Sequence, residues 1–218
     1  MKRIQAPATD LRRERGARAR AGILRVAGRL FAERGLEGAK TEAIAAAAGV
    51  NKALLFYHFS SKDKLFRAIM QDHLEDFHRR ATAILSDRAP ARDVLLRYLS
   101  MHFDFIAARP HYPALFLRLV MTDAKLASRF TRAYLRPRAR QFAALIRRGV
   151  REGSFRRVNS THAAISLVAL IVFYFSSAPM VKGIAQIDPF DPAHLRRRKR
   201  EVLDFVRFGL LRNPEDRP

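Results

Sequence analysis

Between Thr41 and Lys64 the chain reads TEAIAAAAGVNKALLFYHFSSKDK, and in this stretch side chains that can grip a phosphate lie close together. Lys52 carries a charge long enough to reach a base edge or a phosphate. Tyr57 and His58 offer hydrogen-bond donors to phosphate oxygens. Lys62 adds a charge at a predicted helix start, where free backbone N–H groups already attract anions. This is the chemistry of anion recognition, and nothing beside it supports a reaction. The chain has no Cys, which excludes disulfides and thiolate metal sites. Its seven histidines, His58, His73, His78, His102, His111, His162 and His194, include no pair at the i, i+4 spacing of a helical metal site. Most carboxylates have an Arg nearby and read as solvated faces. No nucleophile motif is present, so the expectation is a protein that is not an enzyme, with no catalytic residue, metal or cofactor.

Two short helices and the start of a third must position these groups. Thr41 is predicted to cap the first, with Glu42 just inside its positive end. Ile44 and the surrounding alanines make a small, close-packing helix, and Gly49 supplies the left-handed residue that ends it. Asn51 caps the next helix. There Leu55 and Phe59, four apart, point into a core, while Lys52, Ala53 and Phe56 share another face. Ser60 and Asp63 have capping-box spacing for the helix that follows. A helix, a glycine turn and a short basic and aromatic helix form the layout of a DNA-binding helix-turn-helix. An ordinary helical hairpin in an all-α core shows the same pattern.

The stretch AAAAGVNKALLFYHFSSKDKL resembles the signature of the TetR family of bacterial transcriptional regulators. The motif-level likeness covers Ile23 to Leu65; beyond it only length and helical layout agree. The resemblance implies that Thr41, Tyr57, His58 and Lys62 contact phosphates and that Lys52, Ala53 and Leu54 read bases. Leu54 can give only apolar contact, for instance to a thymine methyl. Asn51 stands where Ser or Thr is usual in the family, Ala53 where Gly is frequent, and Phe56, without a hydroxyl, where Tyr is common.

The 218 residues suffice for one or two domains with a real core, and 49% hydrophobic residues place the chain among globular proteins. The net charge is +22 and the pI about 11.5. Such a balance suits an anionic partner, nucleic acid first. It is spread, however: residues 1–90 carry +8 and residues 91–218 carry +14. The motif therefore locates the DNA-binding part, and the charge does not. The first 22 residues have no apolar run of the secretory kind and, interrupted by Asp10 and Glu14, do not read as a transit peptide, so a cytoplasmic location is expected.

The rest of the chain predicts helices throughout, giving an all-α fold in two domains. The division expected is a disordered arm over 1–12, a helix-turn-helix domain over 13–66, a larger ligand-binding and dimerisation domain over 67–212, and a tail over 213–218. The first helix should run from Leu11 to Arg34 with Ile23, Ala27, Leu30 and Phe31 buried. A fourth should run from Ser61 to Leu85, serving both domains. Helices are expected over Asp93–Ala108, Tyr112–Met121 and Ala124–Arg151, the last kinked or split by Pro137. Asp188-Pro189 and Asp191-Pro192 mark a turn before a final helix from Ala193 to Leu211. The apolar stretch Ala163–Val181 borders on the length of a bilayer span, but Ser166, Ser176, Ser177 and Pro179 lower its score. The reading preferred is a helix covered on one side by its own domain and on the other by a second subunit, with no membrane.

In the resembled family the last two helices of two subunits form a four-helix dimer interface, which here implies a homodimer through Leu195, Val202, Val206 and Leu210. The family also binds small molecules among the helices of the second domain. Of the aromatics there, mostly core, His102, Tyr112, Phe116, Tyr134 and Tyr174 are the candidates to line a cavity. With Asp104 and Asp123 the only acids between Val94 and Arg151, a small apolar or aromatic ligand is expected, anionic ones included. The function expected is that of a ligand-responsive repressor on a near-palindromic double-stranded operator. The rivals are a DNA-binding regulator of the same fold without a ligand, and a membrane-associated helical protein.

Overall fold

The computed structural model describes residues 8–212, with side chains from residue 13 on. All its regular elements are helical: α1 (Ala8–Gly38), α2 (Thr41–Ala47), α3 (Lys52–Phe59), α4 (Lys62–Leu85), α5 (Ala91–Ala107), α6 (Tyr112–Thr122), α7 (Ala124–Phe130), a π-helical turn (Thr131–Leu135), α8 (Arg136–Arg151), α9 (Ser160–Ser176), α10 (Ala178–Ala185) and α11 (Pro192–Leu210). The tail expected over 213–218 and the first seven residues of the expected arm lie outside the described residues. The helix α1 starts at Ala8, three residues before its predicted start. The chain forms two compact units, one ending at Asp72 and one starting at His73.

In the first unit, α1 packs on both α2 and α3. The stripe Ile23, Ala27, Leu30 and Phe31 is buried as its spacing predicts, together with Ile44, Leu55 and Phe59. Phe31 meets Phe66 edge to face at 5.8 Å between ring centres. At Gly35 the backbone turns to φ 75°, so the helical run does end where Arg34 was expected to end it.

In the second unit α5 is the central helix, packed against α8, α9 and α11. It buries Val94, Leu95, Tyr98, Leu99, Phe103 and Ile106. The end of α8 is held by a close approach: a Cβ on Gly149 would collide with the ring of Phe155. Phe155 and Leu211 then form an antiparallel bridge, with Arg156 N–H donating to Leu210 O at 2.9 Å and Arg212 N–H to Ser154 O at 3.0 Å. The C-terminal end of α11 is thereby tied to the connection between α8 and α9.

Several sequence expectations shift in detail. The break expected in Ala124–Arg151 lies just before Pro137, as a wide turn between α7 and α8 in which Arg136 N–H donates to Thr131 O. The apolar stretch 163–181 is not one helix: α9 ends at Ser176, and α10 leaves at 79°. Among the described residues no single helix is long and apolar enough to cross a membrane. The stripe proposed for the dimer also turns inward. Val202, Val206 and Leu210 are 3%, 2% and 7% exposed, inside the core of their own unit, and Leu195 packs against that core. A side chain already covered within one protomer has nothing left to bury against another. The apolar residues that α11 does expose are Phe205 and Phe208.

Candidate nucleic-acid interface and ligand cavity

The turn between α2 and α3 is built by backbone bonds. Gly49, at φ 66°, donates to Ala46 O at 3.1 Å and Val50 to Ala45 O at 3.0 Å. The side chain of Asn51 accepts from Leu54 N–H at 2.7 Å, which is the cap expected of it. The other two caps differ from expectation by one residue. Lys40 occupies the N-cap position of α2 without a side-chain bond, and Thr41 is the first helical residue. Ser61, not Ser60, caps α4 by accepting from Lys64 N–H at 3.1 Å, while Ser60 takes a left-handed φ of 58°. Ser60 and Ser61 can both cap; backbone geometry chose between them.

With Leu55 and Phe59 buried, the opposite face of α3 is open: Lys52, Ala53 and Tyr57 are exposed, Tyr57 by 82%, and Leu54 is half-buried. Lys52 is not a free cation. Its Nζ lies 2.5 Å from Glu42 Oε1, across the turn on α2. The Lys52 hydrogen bond, helped by Glu42's own backbone N–H and by Thr41 Oγ1 at 3.2 Å, pulls the Glu42 carboxyl down to a pKa of about 2. Lys62 is largely covered and donates to Glu37 O at 3.4 Å, with Glu37 Oε2 at 3.9 Å. His58 is half-buried between Tyr57 and Phe59, and its Nε2 is closed off from solvent without a partner. Lys52, Ala53 and Tyr57 therefore form the open part of the expected surface, while His58 and Lys62 turn partly inward. Sequence reasoning missed Glu42 as the partner of Lys52, because the pairing is made by the turn and not by a helical spacing.

In the second unit a groove of about 860 Å3 runs between α6, α8 and α9, with Tyr98 of α5 at its base. Its walls include Leu117, Phe142, Ile165, Val168, Val172 and Phe173. None of the five residues predicted to line a cavity lines this groove. His102 is buried against Phe77 and Tyr98, at 4.6 and 5.8 Å between ring centres. Tyr112 stacks on His73 at 3.7 Å. Tyr134 donates to Glu75 at 2.9 Å, and Tyr174 to Pro189 O at 3.1 Å. Phe116 is half-buried on α6.

The residue that sequence reasoning missed is Arg138. It lines the groove, hydrogen-bonds the Tyr98 hydroxyl and lies 4.4 Å from the centre of the Phe77 ring. Its Nη1 is closed off from solvent and has no partner. Burial pushes its pKa below the ordinary arginine value. The histidines near it bring no charge: burial first, then nearby arginine, holds His73 and His102 at a pKa of about 3. An unpaired buried charge costs several kcal/mol. A desolvated cation–π contact returns about 2 kcal/mol, so Phe77 offsets only part of that cost. One signal was available in the sequence: Arg138, Phe142 and Leu145 share a helix face, which puts a cation in line with the buried stripe.

A second depression, of about 630 Å3, contains Arg80, Arg97, Arg109, Arg207 and Asp104. There each charge is already paired, Arg80 and Arg109 with Asp76, Arg97 with Asp87, Arg207 with Asp204 and Asp104 with Lys199.

Residues 23–69 match the family model of bacterial regulatory proteins of the tetR family. Residues 90–206, more than half the chain, match that of the tetracyclin repressor-like C-terminal domain. The HTH-type transcriptional repressor NicS of Pseudomonas putida is 24% identical over 96% of this chain and 98% of its own length. The HTH-type transcriptional regulator RutR of Escherichia coli is 27% identical over 74% and 76%. In fold, the chain is similar to the ketosteroid regulator KstR2 of Mycobacterium tuberculosis, with a TM-score of 0.72 at 19% identity over 89% and 95% of the two chains. It is also similar to AibR, solved with isovaleryl coenzyme A and operator DNA, with a TM-score of 0.68 at 20% identity over 86% and 97%. With turn-linked helices in its first unit and both domain models matched in order, the chain belongs to the TetR family of bacterial regulatory proteins and is a DNA-binding regulator of transcription.

Proposed function

We propose that this protein is a ligand-responsive repressor that acts in the cytoplasm as a homodimer on a near-palindromic operator. The observation that carries the reading is α3, anchored by Leu55 and Phe59 and presenting Lys52, Ala53 and Tyr57 outward. Its first turn enters a major groove, where Lys52, Ala53 and Leu54 read bases; Thr41, Tyr57, His58 and Lys62 lie against phosphates. Repression follows the full-length similarity to the repressor NicS. The groove in the second unit supports a small apolar or aromatic ligand, anionic ones included, and AibR is a regulator of this fold solved with both ligand and operator. Phe205 and Phe208, 66% and 75% exposed on α11, support a dimer through that helix. To act as an inducer the ligand must bind the operator-free state more tightly than the operator-bound one.

Selection from a random DNA pool tests the reading. A near-palindrome with half-site centres about one helical turn apart, or a multiple of it, is expected. On that operator Lys62→Ala weakens binding on all sequences alike, and Lys52→Ala also changes base preference. Recovery of no preferred sequence, or both variants binding like wild type, overturns it.

A further inference from the structure

Resting on the reading of the second unit as a ligand-binding body, we infer that the groove between α6, α8 and α9 takes an organic anion with an apolar body, its charged head on Arg138. Four arginines, Arg136, Arg138, Arg140 and Arg147, line this groove, and no aspartate or glutamate does. Arg136 and Arg140 are exposed, and Arg147 donates to Ser160 Oγ at 3.3 Å. Of the four only Arg138 is half-buried, with an Nη1 closed off from solvent and without a partner. Among the described residues no carboxylate is paired with it; Tyr98 and the face of Phe77 are its company.

The wall opposite Arg138 is apolar and unfilled, with Ile165 62% and Phe173 59% exposed. Three kinds of ligand meet this arrangement differently. A neutral apolar molecule covers Ile165 and Phe173 but leaves Nη1 unpaired and further from water. A cation meets four arginines along α8 and no carboxylate. An anion with a hydrocarbon or aryl body covers the wall and supplies the missing acceptor, through a charge-assisted bond of the strong kind. Carboxylate and phosphate heads share this chemistry, and phosphate draws further on Arg136 and Arg140.

Calorimetric titration of the DNA-free protein with four ten-carbon probes tests the inference: decanoate, decyl phosphate, decanol and decyltrimethylammonium. Decanoate is expected to bind at least tenfold more tightly than decanol, and the ammonium more weakly than either. Decyl phosphate binding more tightly than decanoate identifies the head as phosphate; the reverse identifies a carboxylate. Arg138→Met is expected to bring decanoate down to the decanol level while leaving decanol unchanged, and Arg138→Lys to keep part of the preference. Equal binding of decanoate and decanol by wild type, or a preference that survives Arg138→Met, overturns the inference. If Arg138→Met fails to fold by circular dichroism, the wild-type series and Arg138→Lys decide. Operator release is measured separately: binding through Arg138 without release keeps this inference and removes the ligand response proposed above.

Discussion

Lys52 Nζ and Glu42 Oε1 lie 2.5 Å apart across the turn of the helix-turn-helix. The cation proposed to read DNA thus carries its own counterion. A phosphate or base edge must displace Glu42 or share Lys52 with it. Glu42→Gln is expected to tighten DNA binding several-fold and to steepen the dependence of log K on log salt by roughly one unit, since one more counterion is released. Folding stability should change little, because the pair is exposed. Fluorescence anisotropy titrations over a salt series check this; unchanged affinity and slope mean that Lys52 stays on Glu42 in the complex.

The inward position of Val206 changes what a charge there does. Val206→Glu buries an unpaired carboxylate in the protomer core and is expected to cost several kcal/mol and to unfold the second unit. Phe205→Glu with Phe208→Glu should leave the helical content intact and convert the proposed dimer to monomer. Sedimentation and circular dichroism together separate the two cases. A folded monomer from Val206→Glu returns the interface to the stripe Leu195, Val202, Val206 and Leu210.

His73 and His102, depressed to about 3, give the fold a pH window of its own. Between roughly pH 3 and 6.5 the unfolded chain binds protons that the folded chain refuses. Stability therefore rises with pH through this window and is lost as pH falls below the unfolded value, by up to about 1.4 kcal/mol per pH unit for each histidine. Desolvation sets the direction for both, arginine adds to it, and for His73 Asp76 opposes it. Urea unfolding at pH 7 and 5.5 should show the loss, and His102→Leu should remove part of it. Equal stability of the wild type at the two pH values excludes the depression.

A Cβ on Gly149 would collide with the ring of Phe155. Gly149→Ala is expected to cost about 1–3 kcal/mol, the usual range for overpacking. In a Phe155→Ala background, itself destabilised by a cavity, the same change should cost little, and the coupling measures the contact. Additive effects in thermal unfolding would place the ring elsewhere.

What was legible in the sequence was local. Leu55 and Phe59 reach the core because a spacing of four is a property of α3 alone, and Asn51 caps because its partner is three residues away. The stripe Val202, Val206 and Leu210 shows the limit of that reasoning. Periodicity says that one face of α11 is apolar, and it does not say which body covers that face; α5 and α9 do so, leaving the off-stripe Phe205 and Phe208 outside. The groove between α6, α8 and α9 is lined by none of the cavity candidates for a related reason. His102, Tyr112, Tyr134 and Tyr174 were chosen for their polar tips, and three of those tips or rings are spent on Glu75, Pro189 O and the His73 ring. Arg138 was overlooked because an arginine on an amphipathic helix is ordinarily solvated.

The wide turn at Thr131–Leu135 sets the rotational phase of everything after it. In an unbroken α-helix, residues twelve apart point about 120° away from each other. Phe130 and Phe142 are twelve apart, and both are buried. A turn that absorbs one extra residue brings them to within about 20° of a common direction. The same offset turns Arg138 toward the groove. Whether Arg138 can serve as an anion anchor is therefore decided by the wide turn between Phe130 and Arg136 as much as by the arginine. A chain of the same length that stayed regularly α-helical there would spell the same α8 and carry its guanidinium about a quarter-turn away from the groove.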